Sequence, residues 1–128
     1  MKKLILSTAV LGCLLILSGC LLQDQIFGHR GDFVRGRVTF GFEVAAFQPC
    51  NSDEQWWVVG DEGVKLQEKW SGLGLEWYQS GYAEVRGDRS DLGEYGHLGA
   101  YQRELDVKEV REVRLLKDGE CPWPRPER

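Results

Sequence analysis

The sequence lacks the residues and motifs on which most enzyme and metal sites are built. It has two histidines among 128 residues, and it has no C-x-x-C pair, nucleophile elbow, zinc-binding helix motif or phosphate loop. The carboxylates are many but lie scattered through loops and outer strand faces. Only His97 lies within the domain, and no serine near it is obviously activated. We therefore predict no catalytic residue, no metal site and no enzyme activity.

Clusters of lysine and arginine are also missing. The chain has 16 basic and 20 acidic residues, a formal net charge of −4. Residues 1–19, interpreted below as a signal peptide, contain two lysines and no acid, so that their removal leaves a net charge of −6. A nucleic-acid backbone needs clustered cations. The composition therefore predicts no nucleic-acid partner and no polybasic attachment to a membrane.

The N-terminal apolar run is too short to span a bilayer and instead has the features of a signal peptide. Leu4–Leu17 follows two lysines and has the length of a signal-peptide core. It ends in the motif Leu-Ser-Gly-Cys at residues 17–20, which resembles the lipobox of bacterial lipoproteins. In such proteins the chain is cut before the cysteine, which carries the lipid. We predict cleavage after residue 19 and acylation of Cys20; a buried or disulfide-bonded Cys20 would require the signal peptide to stay.

The predicted lipid also indicates where the protein is located in the cell. Several acyl chains anchor a protein firmly to a membrane. Leu21 rather than an aspartate follows Cys20, which by resemblance to lipoprotein sorting in diderm bacteria favours the outer membrane. Residues 20–31 form a lipidated tether that reaches at most ~35 Å when extended. We predict an outer-membrane lipoprotein whose domain faces the periplasm or the surface, with no cofactor beyond the covalent lipid.

Two of the four cysteines remain for the folded domain. Cys13 leaves with the signal peptide, and Cys20 takes the lipid. Cys50 and Cys121 form an even pair in an oxidising compartment, which predicts a disulfide between them. The alternatives are two free thiols and a two-cysteine metal site, although a metal site would need histidine or further cysteine ligands nearby.

The domain is organised around a patterned stretch, Gly36–Val59. Its first half predicts one long strand, which bends at Gly41 and slips in phase at Ala45–Ala46. A turn then leads to a second strand at Trp56–Val59. The residues expected on the buried face of the first strand alternate along the chain: Val38, Phe40, Phe42, Val44 and Ala46.

A helix follows, over about Glu62–Ser71, with Asp61 as a possible N-cap. Trp70 lies on its buried face and is expected to close one end of a barrel. Strand character returns over Leu75–Gly87. These spacings predict a strand, strand, helix, strand order for the first two thirds of the domain.

The last third combines a glycine-rich loop with an ambiguous segment. The loop covers Gly87–Gly99, which has too many glycines for a regular element. Gln102–Leu116 fits helical spacing but also fits strand segments offset by a bulge around Lys108–Glu112, and its β-branched content favours strand. The order of elements predicts a mainly β fold, a small OB-fold-like Greek-key barrel with one short capping helix. We place this domain at residues 32–128.

Two blocks of sequence carry a family resemblance. They are FGFEVAAFQPCNSDEQWWV (Phe40–Val58) and YAEVRGD…GEYGHLGAYQRELDVKEV (Tyr82–Val110). They resemble the C-terminal OB-fold domain of the NlpE family of outer-membrane lipoproteins, and FQPCNS is the most specific part. The resemblance implies a role in envelope-stress signalling or surface sensing, and it supports the Cys50–Cys121 pair. The N-terminal C-x-x-C domain tied to copper in that family has no counterpart here, so the copper role is not carried over.

The most ligand-like stretch runs from Tyr95 to Tyr101. It offers aromatic faces, His97 and close backbone approach at glycines. We predict a ligand or partner site at Trp56, Tyr95, His97 and Tyr101. A binding module would expose an aromatic patch near Trp56, Tyr95 and Tyr101, whereas a purely structural protein would bury those rings. The alternative is that the glycines serve turns only, with His97 hydrogen-bonded to backbone carbonyls. The predicted function is a non-catalytic, lipid-anchored binding module for another envelope protein or a ligand; the alternatives are a copper-homeostasis lipoprotein and a purely structural protein.

Overall fold

The structure, a computed structural model, describes residues 31–122. The predicted signal peptide, Cys20, nearly all of the tether and the last six residues lie outside the described residues. No helix in this range has the length and apolar character needed to cross a membrane. Its elements are β1 (Val34–Gly41), β2 (Val44–Pro49), β3 (Trp56–Val59), α1 (Asp61–Ser71), β4 (Ser80–Arg89), a 3₁₀ turn (His97–Gly99) and β5 (Arg103–Leu115).

The strands close into a barrel in the order β1-β2-β3-β5-β4. β3 and β5 run parallel, whereas the other neighbouring pairs are antiparallel. This mainly β, OB-fold-like barrel with one short helix confirms the predicted fold class. The core inside it is made by residues from every strand and from α1: Val38, Phe40, Phe47, Trp56, Val58, Leu66, Trp70, Ala83, Val85, Leu105 and Val107.

The stretch predicted as one long bent strand is a hairpin. β1 and β2 pair with each other, and Phe42 and Glu43 form the turn between them. Residues directly opposite each other in an antiparallel pair share a face. Val38 lies opposite Phe47, and both are fully buried. The inward residues are therefore even-numbered on β1 and odd-numbered on β2. The apparent phase slip in the sequence comes from this change at the turn and not from a bulge within one strand.

Helix α1 lies where the sequence predicts it, but its first turn differs in detail. Asp61, expected as a possible N-cap, is the first helical residue, and Gly60 is the cap without a side-chain hydrogen bond. The chain can turn there because Gly60 has a φ of 88°, which glycine adopts readily. Trp70 is buried as predicted, its ring meets Phe40 edge-on at 5.4 Å, and its Nε1 donates to the Gln79 carbonyl at 3.2 Å.

β4 lies later in the chain than the sequence predicts and is shorter, whereas β5 falls within its predicted bounds. β4 begins at Ser80 rather than at Leu75 and runs into the predicted loop as far as Arg89. β5 resolves the ambiguous segment as a strand. Its register against β4 shifts twice and passes over Lys108 and Arg111, so the bulge predicted in this region is confirmed. Bulges add twist to a strand, which helps a five-stranded sheet to close on itself.

The two domain cysteines meet at the end of the barrel where β1 begins. The sulfur atoms of Cys50 and Cys121 lie 2.17 Å apart and their Cα atoms 4.6 Å apart, which is disulfide distance. Cys50 N donates to the Arg35 carbonyl at 2.9 Å, and Arg37 Nε donates to the Cys121 carbonyl at 2.7 Å. The pairing predicted from the sequence therefore agrees with the structure, and it ties the end of β2 to the segment that follows β5.

Candidate functional site

The aromatic patch expected at Trp56, Tyr95 and Tyr101 is not exposed. Trp56 is 4% exposed and Tyr101 is 7% exposed, while Tyr95 is half-buried. Trp56 points inward because side chains alternate along β3, and its ring stacks on Phe47 with centroids 5.8 Å apart. The exposed patch expected of a binding module is therefore not found at these rings, and their burial is what the structural alternative predicts.

The loop between β4 and β5 folds over the outer face of β3. The ring of Tyr101 meets Trp57 edge-on at 4.9 Å, and a β-carbon at Gly96 would lie 2.6 Å from the Trp57 ring. Burial raises the pKa of the Tyr101 phenol, while a backbone hydrogen bond with Ala45 acts in the opposite direction. OB folds commonly bind ligands on the face of strands 2 and 3. Here, the chain's own loop covers part of that face.

Glu54 holds the β2–β3 loop against the β4–β5 loop. Its Oε2 accepts from Trp56 Nε1 at 2.7 Å and from Arg103 Nε at 3.0 Å. The bond from Trp56 and then the bond from Arg103 lower the pKa of the Glu54 carboxyl. Arg103 also donates from Nη1 to the Ser90 carbonyl at 2.9 Å. These bonds join the two loops, so we assign the cluster a structural role.

His97, the predicted ligand-binding histidine, contacts the β1–β2 turn. Its Nε2 lies 3.0 Å from Glu43 Oε2, and both side chains are partly exposed. Between residues 31 and 122, no group of three or more histidine, cysteine, aspartate or glutamate side chains could hold a metal ion. The contact instead brings the β4–β5 loop to the turn of the first hairpin.

A different exposed surface lies around that turn, and we call it the hairpin-tip surface. Three loops contribute to it: the β1–β2 turn, the α1–β4 loop and the β4–β5 loop. The β1–β2 turn and the β4–β5 loop each contribute one large apolar side chain that is more than half exposed, and the α1–β4 loop contributes two. The four side chains of the hairpin-tip surface are Phe42 (64% exposed), Trp77 (62%), Tyr78 (58%) and Leu98 (89%).

Contacts with the hairpin bring the α1–β4 loop to this surface. Tyr78 N donates to the Phe40 carbonyl at 2.9 Å, and the Tyr78 ring lies directly against Gly41. Any β-carbon at Gly41 would collide with that ring. Trp77 sits beside Tyr78, with ring centroids 6.5 Å apart. The glycine that the sequence suggested as a strand bend therefore makes room for an aromatic ring.

The backbone at this surface is in an unfavourable conformation. Glu43, Tyr78 and Leu98 have φ values of 57°, 70° and 56°, in the left-handed region. Such conformations cost on the order of 1–3 kcal/mol each for residues other than glycine. Among the described residues, only Asn51 and Cys121 are further non-glycine cases. One strained residue in each of the three loops is consistent with a surface kept for contact rather than for stability.

Sequence reasoning missed this surface, although one signal was present. Trp77 and Tyr78 are adjacent aromatic residues in a loop that also contains Gly72 and Gly74. Bulky aromatic residues in a connecting loop have few neighbours to bury them, because loops run over the protein surface. The neighbourhood of Phe42 could not be inferred, because the turn that exposes it was not recognised.

Comparisons with known proteins returned no further information on this site. No protein-family model, no curated protein and no solved structure matches the chain. The resemblance to the NlpE C-terminal domain therefore stays a prediction that rests on the quoted sequence blocks.

Proposed function

We propose that this protein is a non-catalytic, lipid-anchored binding module of the bacterial cell envelope, and that it binds through the hairpin-tip surface. The observation that carries this proposal is the convergence of Phe42, Trp77, Tyr78 and Leu98 at one end of the barrel, each more than half exposed. Clustered exposed apolar residues mark interaction sites in soluble domains. Tryptophan and tyrosine are also enriched among the residues that dominate interface energies.

The position of this surface suits a tethered binding module. The chain enters the barrel at Val34, and the hairpin turn follows at the other end of β1. Eight strand residues at about 3.3 Å each separate the two ends by roughly 25 Å. The polypeptide link to a lipid on Cys20 would therefore enter the barrel at the end of β1 opposite the hairpin turn. The resemblance to the NlpE family supports an outer-membrane location and a role in envelope stress or surface sensing.

The lipid anchor has a direct test. We expect Cys20→Ser to leave the signal peptide uncleaved and the protein without acyl label, because the acylated thiol is gone. Metabolic labelling with palmitate and membrane fractionation measure both effects, and Cys13→Ser is the matched control that should behave as wild type. If the Cys20→Ser protein still takes up label and fractionates with the outer membrane, the assigned anchor is wrong.

The binding surface is tested by photo-crosslinking in living cells. We expect a crosslinking residue in place of Trp77 to give a discrete adduct, whereas one in place of Val64 gives none. Val64 is a suitable control because it is 57% exposed but lies on α1, outside the tip surface. Immunoblots after irradiation measure the adducts. Equal adducts at both positions, or no adduct at position 77, would contradict the proposed function.

A further inference from the structure

We infer that the hairpin-tip surface binds a protein segment in which apolar residues are flanked by lysine or arginine. This inference rests on the proposed function and names the chemistry of the partner. It follows from the charge of the loops around the tip, from the open aromatic faces there, and from the occupants that the charge disfavours.

The loops that form the tip carry negative charge and no lysine or arginine. Residues 38–64, 70–85 and 90–102 contain neither residue type. His97, the remaining residue there that can carry positive charge, lies against Glu43. The exposed acids of the tip loops are Glu43, Glu76, Asp91 and Glu94. The loops of the tip therefore combine exposed apolar side chains with exposed acids.

This charge pattern discriminates between three possible occupants. An anionic lipid surface attracts lysine and arginine, so it is disfavoured at an acidic tip. A second copy of the chain joined tip to tip would place the same acidic loops face to face, which is also unfavourable. A protein segment with cations around an apolar centre complements both parts of the surface.

The aromatic rings of the tip can also receive a cation directly. Elsewhere on the barrel, arginine guanidinium groups lie over aromatic rings: Arg111 is 3.5 Å from the Phe33 centroid and Arg114 is 3.8 Å from that of Tyr82. Trp77 and Tyr78 present more than half of their surface to solvent. Tryptophan and tyrosine are the better cation–π acceptors, and the carboxylate of Glu76 is next in the chain. A lysine or arginine of the partner is thus attracted both by these rings and by the negative charge that Glu76 adds to the same loop.

The experiment uses the full-length lipoprotein with the crosslinking residue at position 77. The adduct is purified, and the crosslinked partner peptide is sequenced by mass spectrometry. We expect lysine or arginine next to apolar residues in that peptide. We also expect Glu76→Lys to lower the adduct yield about tenfold through like-charge repulsion. Asp53→Lys, which makes the same charge change at an exposed position in the β2–β3 loop, should leave the yield unchanged.

The outcomes separate this inference from the proposed function. A missing adduct at position 77 contradicts the proposed function itself. An adduct with lipid, with a second copy of the chain, or with a peptide that lacks lysine and arginine overturns the inference and leaves a binding surface of other chemistry. An unchanged yield in Glu76→Lys also overturns it. Melting temperatures of Glu76→Lys and Asp53→Lys that match the wild type show that the yields report binding rather than unfolding.

Discussion

Replacing Cys50 by serine is expected to lower the melting temperature by roughly 15–30 °C. Cys50 and Cys121 are separated by 71 positions in the chain. In the chain-entropy model, a bond that closes a loop of this length stabilises the folded state by about 4 kcal/mol. That is a large part of the ~5–15 kcal/mol that holds a domain of this size together. For such a domain, each kcal/mol shifts the melting temperature by about 4–8 °C.

The same substitution should release the end of the chain before it unfolds the barrel. Glu120 accepts from Arg114 Nη1 at 2.7 Å and from Nη2 at 2.5 Å, and this ion pair lowers the pKa of Glu120 to about 2. In the Cys50→Ser variant, this Arg114–Glu120 ion pair still keeps the segment after β5 close to the sheet. The chain from Cys121 onward loses its covalent link and becomes open to proteases.

Thermal unfolding and limited proteolysis of Cys50→Ser measure these two effects. Cys121→Ser and reduced wild-type protein are the matched controls, and all three should melt alike because each lacks the same bond. Mass spectrometry of exported protein that is alkylated without reduction tests the bond itself. If both thiols are found alkylated, the disulfide does not form in the cell and this prediction fails.

Replacing Trp70 by alanine is expected to destabilise the domain by about 3–5 kcal/mol, the usual cost of removing a buried aromatic side chain. Trp70 is 2% exposed, closes the barrel beneath α1 and packs edge-on against Phe40. Its indole also donates to the Gln79 carbonyl, one residue after Tyr78. The variant should therefore lose stability and also loosen the α1–β4 loop of the tip surface.

Urea unfolding measures the free energy of unfolding. The crosslinking yield at position 77 reports whether the α1–β4 loop keeps its position. Trp70→Phe keeps much of the apolar volume but not the indole N–H, so it should lose less stability than Trp70→Ala. Val64→Ala, a truncation on the exposed face of the same helix, should change stability by no more than about 0.5 kcal/mol. A Trp70→Ala protein as stable as Val64→Ala would show that α1 does not cap the core.

Elements with strong periodicity were predictable from the sequence. Trp56–Val59 is a strand with the predicted bounds, and α1 begins within one residue of its predicted start. The β-branched content of the last segment identified β5 as a strand, and the offset in its apolar spacing identified the region of the bulge. In each case, the local pattern and the tertiary environment favour the same structure, so that local reasoning was sufficient.

The first hairpin was not predictable by the same reasoning, because its turn lacks turn residues. Two-residue hairpin loops usually contain glycine, asparagine or aspartate. Here they are Phe42 and Glu43, and Glu43 adopts a φ of 57° without being glycine. The parity change between Phe40 and Phe47 was visible in the sequence, but it fits a bulge as well as a turn. Pairing between strands, which a single sequence does not display, decides between the two.

The candidate site was predictable only in its components. The sequence indicates exposed aromatic residues near the β4–β5 loop, but on β3 the structure turns Trp56 inward and Trp57 outward. Which neighbour faces the core depends on the register with β2 and β5. The tip surface joins residues as far apart in the chain as Phe42 and Leu98. Such a surface exists only after the barrel has closed, so a local pattern such as the adjacent Trp77 and Tyr78 indicates one exposed loop but not the surface.

The parallel pairing of β3 with β5 constrains when this protein can fold. β5 is the last strand among the described residues, and it fills the gap between β3 and β4. Until it arrives, both of those strands present unpaired edges, which are templates for aggregation. Closure also joins residues distant in sequence, which slows folding. If the chain is exported from its N-terminus, as proposed above, it would cross the membrane almost entirely before its barrel could form, and it would need protection from other chains until then.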